Sequence, residues 1–205
     1  SLTEAWVREG DTLLAPLAAS FDFIVGNPPY VRIEQLAPAL QSEYRARYAT
    51  LYDRADLYVA FIERGLRLLG SSGVLSFVCA DRWVSNRYGA PLRAMIADSF
   101  RVNCYIDLHD ASPFESEVIA YPSIFSLSPG RSERVFVGRL TSASPDECAR
   151  LWAARQGEVD AGADAVFYEA WFKGDAPWVL GSPAHLRALR DLEARFQPIE
   201  ADGET

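Results

Sequence analysis

A short apolar, β-prone run, Phe21-Asp22-Phe23-Ile24-Val25, is closed by Gly26 and followed at once by Asn27-Pro28-Pro29-Tyr30. These four residue types in this order suit one kind of chemistry. An exocyclic amino nitrogen conjugated with a ring is a poor nucleophile, and two acceptors aimed at its two N–H bonds draw the lone pair out of that conjugation. The Asn27 side-chain oxygen can supply one acceptor, and the Pro28 backbone carbonyl, held by two successive fixed proline φ angles, can supply the other. Acceptors set in advance need little reorganisation as positive charge grows on the nitrogen, so no strong general base is required at the moment of attack. A planar base taken out of its stack loses its neighbours, and the Tyr30 ring replaces one of them at about 1–3 kcal/mol. The plainer alternative is a Pro-Pro turn with Tyr30 packing locally.

The elements around the motif follow from periodicity. Residues 21–25 read as a buried parallel strand with the motif at its C-terminal end. From Val31 to Arg54 no period is sustained, which predicts a long loop of the lid type with a short helix around Ala39 to Tyr48. From Asp56 to Leu69 a helix is predicted, with Leu57, Phe61 and Leu68 on one side and Tyr58, Ile62, Leu66 and Leu69 on an adjoining one. Gly70-Ser71-Ser72-Gly73 predicts a break before a second buried strand, Val74 to Cys79. A helix over Ala90 to Ser99, opened by Pro91, leads into a strand over Val102 to Ile106.

The runs Val118 to Leu127 and Val135 to Leu140, separated by Ser128-Pro129-Gly130, predict an antiparallel hairpin at the sheet edge. Ser144-Pro145-Asp146-Glu147 is a capping box for a helix from Pro145 to about Gln156. A strand over Val166 to Phe172 follows, and Ser182-Pro183 opens a last helix with Leu186, Leu189, Leu192 and Phe196 on one face. Strands alternating with helices predict an α/β fold, a partial Rossmann-like sheet of mostly parallel strands with an antiparallel edge hairpin.

Composition sets the outer bounds. The chain has 205 residues, 49% hydrophobic and 23% charged, enough for one sizeable core or one domain plus part of another. No apolar run approaches the roughly 20 residues of a membrane span. Nothing at the start resembles a secretory signal, so an intracellular setting is expected, and Ser1 in place of Met suggests an excised fragment. Cys79, Cys104 and Cys148 are too far apart for a disulfide framework or a zinc site of paired ligands, and neither His109 nor His185 has a ligand neighbour in sequence. A net charge of −8 and a pI near 4.8 argue against this segment gripping DNA by itself. The gripping surface would then lie elsewhere in a longer protein.

The motif and its surroundings resemble the gamma class of N6-adenine DNA methyltransferases, the TaqI-like group that includes the methylating parts of type IIG restriction enzymes. The likeness covers about the first two-thirds of the chain. It implies S-adenosyl-L-methionine as cofactor and double-stranded DNA as partner, in a prokaryotic cytoplasmic enzyme of restriction-modification or phage defence. A nuclease or target-recognition domain fused elsewhere in the protein is also implied. Asn27, Pro28, Pro29 and Tyr30 would be catalytic, with Asn27 also bordering the cofactor.

Gly10-Asp11-Thr12-Leu13-Leu14 is similar to the family's acidic motif, which gives Asp11 the cofactor's adenine amino group; otherwise it is a carboxylate in solvent. Asp56 to Phe61 is similar to the helix start at which an aromatic ring packs on that adenine, so Phe61 is either that ring or plain core. Asp110-Ala111-Ser112-Pro113-Phe114 resembles the segment that closes the base pocket opposite Tyr30, making Phe114 the second wall or a loop anchor, although Glu115 to Val118 depart from the pattern.

No Gly-rich cofactor loop precedes residue 21. The sheet is therefore expected to lack its N-terminal strands, and these residues alone to have little or no activity. Residues 1–140 read as the base-binding half of a catalytic domain, and 141–205 as its end and the approach to a recognition domain. The same motif serves methylation of glutamine in release factors and of guanine in ribosomal RNA, and a catalytically inactive scaffold segment is a third reading. The long segment between Tyr30 and Asp56 fits the DNA group better.

Overall fold

The computed structural model describes residues 7, 9–16, 20–111, 121–131, 134–142, 144–160, 162, 164–169, 173–178 and 183–196. Among these residues six strands, β1 (Phe21–Gly26), β2 (Leu69–Ala80), β3 (Phe100–Asp107), β4 (Pro122–Pro129), β5 (Arg134–Arg139) and β6 (Ala165–Glu169), form one sheet in the order β1-β2-β4-β3-β5-β6. Strands β1, β2, β3 and β5 share one direction, whereas β4 is antiparallel to β2 and β3, and β6 is antiparallel to β5. This is the expected α/β sheet of mostly parallel strands with an antiparallel edge.

The edge pair differs from the expected hairpin. The runs 118–127 and 135–140 do not pair with each other, and the edge is formed by β5 and β6. Strand β4 inserts between β2 and β3, with Phe125 opposite Phe77 on one side and Tyr105 on the other. A run as apolar as Ile124-Phe125-Ser126-Leu127 gains two ladders and two covered faces there, where an edge hairpin would give it one ladder. Residues 118–120 lie outside the described part.

Among the described residues six α-helices accompany the sheet: α1 (Pro38–Arg47), α2 (Tyr58–Arg67), α3 (Arg82–Ser85), α4 (Ala90–Ser99), α5 (Pro145–Gln156) and α6 (Pro183–Arg195). Alternating side chains of a strand serve opposite faces. Leu75, Phe77 and Cys79 of β2, with Phe125 and Leu127 of β4, join Tyr58, Ile62 and Leu66 of α2 and Leu92 and Ile96 of α4 in the main core. Ile106 and Phe136 point the other way and pack with Leu151 and Ala154 of α5. On α6 only Leu186 of the four expected apolar contacts is fully buried, while Leu192 and Phe196 are exposed.

Two local details carry consequences. Strand β2 begins at Leu69, so Gly70 to Gly73 lie inside it: pairing jumps from Phe21↔Leu69 to Phe23↔Val74, and the extra residues bulge out. A Cβ on Gly73 would stand 2.7 Å from the Phe21 carbonyl oxygen, closer than any side chain tolerates. At the start of α5 the Ser144 hydroxyl accepts from the Glu147 N–H at 3.3 Å. The Glu147 carboxylate reaches back to the N–H and hydroxyl groups of Ser142 and Thr141, which pull its pKa from 4.5 down to about 2, the Ser142 N–H contributing most.

Gly73→Ala should therefore lower stability by about 1–3 kcal/mol, read as a fall in urea midpoint at unchanged slope. Because the folded pKa of Glu147 is depressed, its contribution is complete above pH 4.5 and disappears as pH falls through about 2. The stability gap between the wild type and Glu147→Gln should close over that window, measured by denaturation at a series of pH values.

Candidate functional site

At the end of β1, Gly26 lies in the ladder opposite Phe77 of β2, and a Cβ on it would meet the Phe77 ring at 3.2 Å. The next residues turn outward. Asn27 is exposed, Pro28 buried, Pro29 exposed and Tyr30 half-buried. The Tyr30 ring stands edge-on to the Tyr58 ring, with centroids 6.2 Å apart and planes at 90°. Its phenol is pushed up to about 12, chiefly by burial and secondarily by the nearby Cys79, so it stays neutral at any working pH.

Tyr58 is itself pinned. Its hydroxyl donates to Asp56 Oδ2 at 2.9 Å, the Tyr88 hydroxyl donates to the same oxygen at 3.0 Å, and the two phenol oxygens lie 2.6 Å apart. Burial raises both phenols, and in Tyr58 the neighbouring Tyr88 and Asp56 add to it. The segment between Tyr30 and Asp56, expected as a lid, is tied at its neck: the Leu57 N–H donates to Val31 O at 2.7 Å and the Ile33 N–H to Ala55 O at 3.2 Å. Within it Tyr44, Tyr48 and Leu51 are buried in the main core.

On the other side of α2 lies the turn that carries Asp11. Asp11 is exposed, and its Oδ1 accepts the N–H groups of Leu13 at 2.8 Å and Leu14 at 3.3 Å, while Oδ2 accepts the Tyr44 hydroxyl at 2.5 Å. Tyr48 and Arg47 of the α1 region and Arg64 of α2 donate to the carbonyls of Leu13, Leu14 and Ala15. Phe61 is half-buried and lines a groove of about 310 Å³ with Thr12, Arg64 and the Phe23 and Val25 side of β1. The structure thus brings Phe61 and the residue beside Asp11 into one groove. Phe114 lies outside the described residues.

Three groups escaped sequence reasoning. The Asp56-Tyr58-Tyr88 triangle is one. A second is Asp81, buried at the end of β2, which lies 2.7 Å from His109 Nε2 and accepts from the Tyr105 hydroxyl at 3.2 Å; burial raises its pKa despite these bonds. His109 also packs against the Tyr121 ring. The third is Arg32 and Arg82, which line two adjoining cavities beside Tyr30. One signal could have found Asp81 and Arg82: they follow β2 as Asn27 follows β1, at the C-terminal ends of neighbouring parallel strands, where open α/β sheets bind ligands. Among the described residues no three His, Cys, Asp or Glu side chains converge as a metal site would, and no helix is long and apolar enough to cross a membrane.

A family model described as the Eco57I restriction-modification methylase matches residues 10–114. Type II methyltransferase M.PaeR7I of Pseudomonas aeruginosa is 43% identical over 206 residues, covering 99% of this chain and 36% of that protein. Type II methyltransferase M.BstVI of Geobacillus stearothermophilus is 40% identical over 212 residues, covering 98% and 38%. The chain therefore spans somewhat over a third of the length of these relatives. The solved methyltransferase subunit of a type I restriction-modification system from Streptococcus thermophilus shares the fold, with a TM-score of 0.60 at 15% identity over 78% of this chain and 38% of that one.

Tyr44→Phe should cost about 1 kcal/mol and loosen the turn that holds Asp11. Hydrogen exchange at the Leu13 and Leu14 amides would accelerate in the variant; unchanged protection there would show that the phenol does not fix the turn.

Proposed function

Starting from a chain that belongs to the Eco57I restriction-modification methylase family, we propose that it is the base-handling part of a site-specific DNA adenine-N6 methyltransferase. The observation that carries this reading is the position of Asn27-Pro28-Pro29-Tyr30, directly after a parallel strand at the ligand-binding edge of the sheet, with Tyr30 held on a pinned aromatic partner. Residues 1–140 would be the base-binding half of the catalytic domain, and 141–205 its end and the approach to a target-recognition domain. The 205 residues alone are expected to be inactive.

The residues act on the base as follows. Tyr30 stacks on an adenine taken out of the duplex, and its rigid support on Tyr58 means little rotamer freedom is lost on binding. The Asn27 side-chain oxygen and the Pro28 carbonyl accept the two N–H bonds of the exocyclic amine, turning its lone pair out of the ring. The charge that grows on the nitrogen is met by the same two oxygens, already in place. The Tyr30 phenol, neutral throughout, contributes its ring face and takes no proton. Phe114, by its place in the sequence, is the second wall.

S-adenosylmethionine, when bound, supplies the electrophilic methyl group. The residues present fit its adenine end. An ionised carboxylate offers about four acceptor sites, and the three hydrogen bonds on Asp11 leave room on Oδ2 for one more donor, such as an adenine amine. Phe61 presents an apolar surface to the groove beside Thr12.

In the full-length protein, methyl transfer from labelled cofactor should go to duplex DNA and not to RNA or to a release factor. Asn27→Ala should cut the rate about 100-fold or more. A variant that still protected DNA fully from the matching nuclease would remove the amino-group clamp. Asp11→Ala and Phe61→Ala should weaken cofactor binding by titration calorimetry while leaving DNA affinity unchanged.

A further inference from the structure

Two adjoining cavities open beside the base motif, of about 300 Å³ and 190 Å³, and both are lined by Arg32, Asp56 and Arg82. The larger also takes in Tyr30 and the Gln35 amide, and the smaller the Asn86 amide. In a chain of net charge −8, two guanidinium groups facing a shared space run against the overall balance. Their usual partners are missing: among the described residues neither Arg32 nor Arg82 has a carboxylate within ion-pair distance. Arg54, at the rim of the smaller cavity, is paired with Glu34 at 3.2 Å. The one acid in the lining, Asp56, has its Oδ2 taken by the Tyr58 and Tyr88 hydroxyls. The lining therefore presents two cationic forks and two amide donors against a single carboxylate whose Oδ2 already accepts two phenols, a cationic excess that complements an anion with several acceptor oxygens.

Placement identifies that anion. Arg32 lies two residues beyond Tyr30 and lines the same cavity, so an anion held there neighbours a base stacked on Tyr30. Arg82 approaches from the neighbouring strand end, following β2. Resting on the reading of Tyr30 as the base platform, we infer that Arg32 and Arg82 form a clamp for the phosphodiester that flanks the extruded nucleotide. The clamp holds the strand in the bent-out conformation. It carries no sequence information, since phosphate contacts position and base contacts specify.

The test uses the full-length protein, its cognate duplex and a matched duplex carrying neutral methylphosphonates on either side of the target adenine. Arg32→Gln and Arg82→Gln should each reduce the slope of log affinity against log salt by about one on the cognate duplex, where the target adenine is extruded, and by less on unrelated sequence. Arg→Lys at either position should restore most of the slope. The methylphosphonate duplex should lower wild-type affinity as the double Gln variant does, and that variant should not distinguish the two duplexes. An unchanged slope in both Gln variants, or methylphosphonate and mutational losses that simply add, overturns the clamp while wild-type methyl transfer to DNA still stands. Failure of the wild type to methylate DNA overturns the base-platform reading, and the clamp with it.

Discussion

Two consecutive prolines remove the backbone donors at positions 28 and 29, so the chain leaving β1 cannot continue in the sheet ladder and must be held by something else. That hold is the neck where residues 31–33 meet residues 55–57, closed by the bond from the Leu57 N–H to Val31 O and the bond from the Ile33 N–H to Ala55 O. The neck sets the start of α2 against the residue after Tyr30, and so places Tyr58 edge-to-face with the Tyr30 ring. Without it, the motif would be a mobile turn at a sheet edge. With it, a short loop becomes a platform whose support belongs to a helix in the core.

Helix α2 then couples the two halves of the site. Its first turn carries Tyr58, tied to Asp56 and Tyr88; two turns later, Arg64 donates to the carbonyls of Leu13 and Ala15 in the Asp11 turn. Between them, buried Glu63 accepts from the N–H and hydroxyl of Thr50 and pairs with Arg67, fixing the far end of the α1 segment to the same helix. A displacement of α2 would therefore move the Tyr30 side and the Asp11 side together. On the proposed function a methyl acceptor at Tyr30 and a donor beside Asp11 must meet to within a fraction of an ångström, and this linkage suits that demand.

Elements with local signals were legible in the sequence. Helix α4 runs over Ala90 to Ser99 and α5 from Pro145 to Gln156, as the proline near each first turn and the Ser144 cap indicate. What was not legible depended on distant partners. The apolar run that forms β4 says it is buried but not between which strands, and only the sheet order shows the insertion between β2 and β3. Gly70 to Gly73 read as a break because a bulge needs knowledge of the opposing strand. The same limit applies to the site. Asn27 to Tyr30 is contiguous and therefore visible, whereas Asp56 meets Tyr88 across 32 positions and Asp81 meets His109 across 28.

The charge balance of −8 also hides how its cations are used. Arg45 donates to the carbonyls of Leu51 and Asp53, Arg47 and Arg64 to those of residues 13–15, and buried Arg93 to those of Trp83, Asn86, Asp175 and Ala176. A carbonyl satisfies a guanidinium's hydrogen bonds without cancelling its charge. These arginines thus staple loops around the motif without losing their charge, whereas the acidic residues Glu158, Asp160 and Asp164 follow α5 and lead into β6, at the opposite edge of the sheet from β1. Net charge sums over the whole surface, but an approaching polyanion meets the local field first. The acidic composition of the chain is therefore compatible with the proposed contact to DNA, because these four arginines are bonded to neutral oxygen and not to carboxylate.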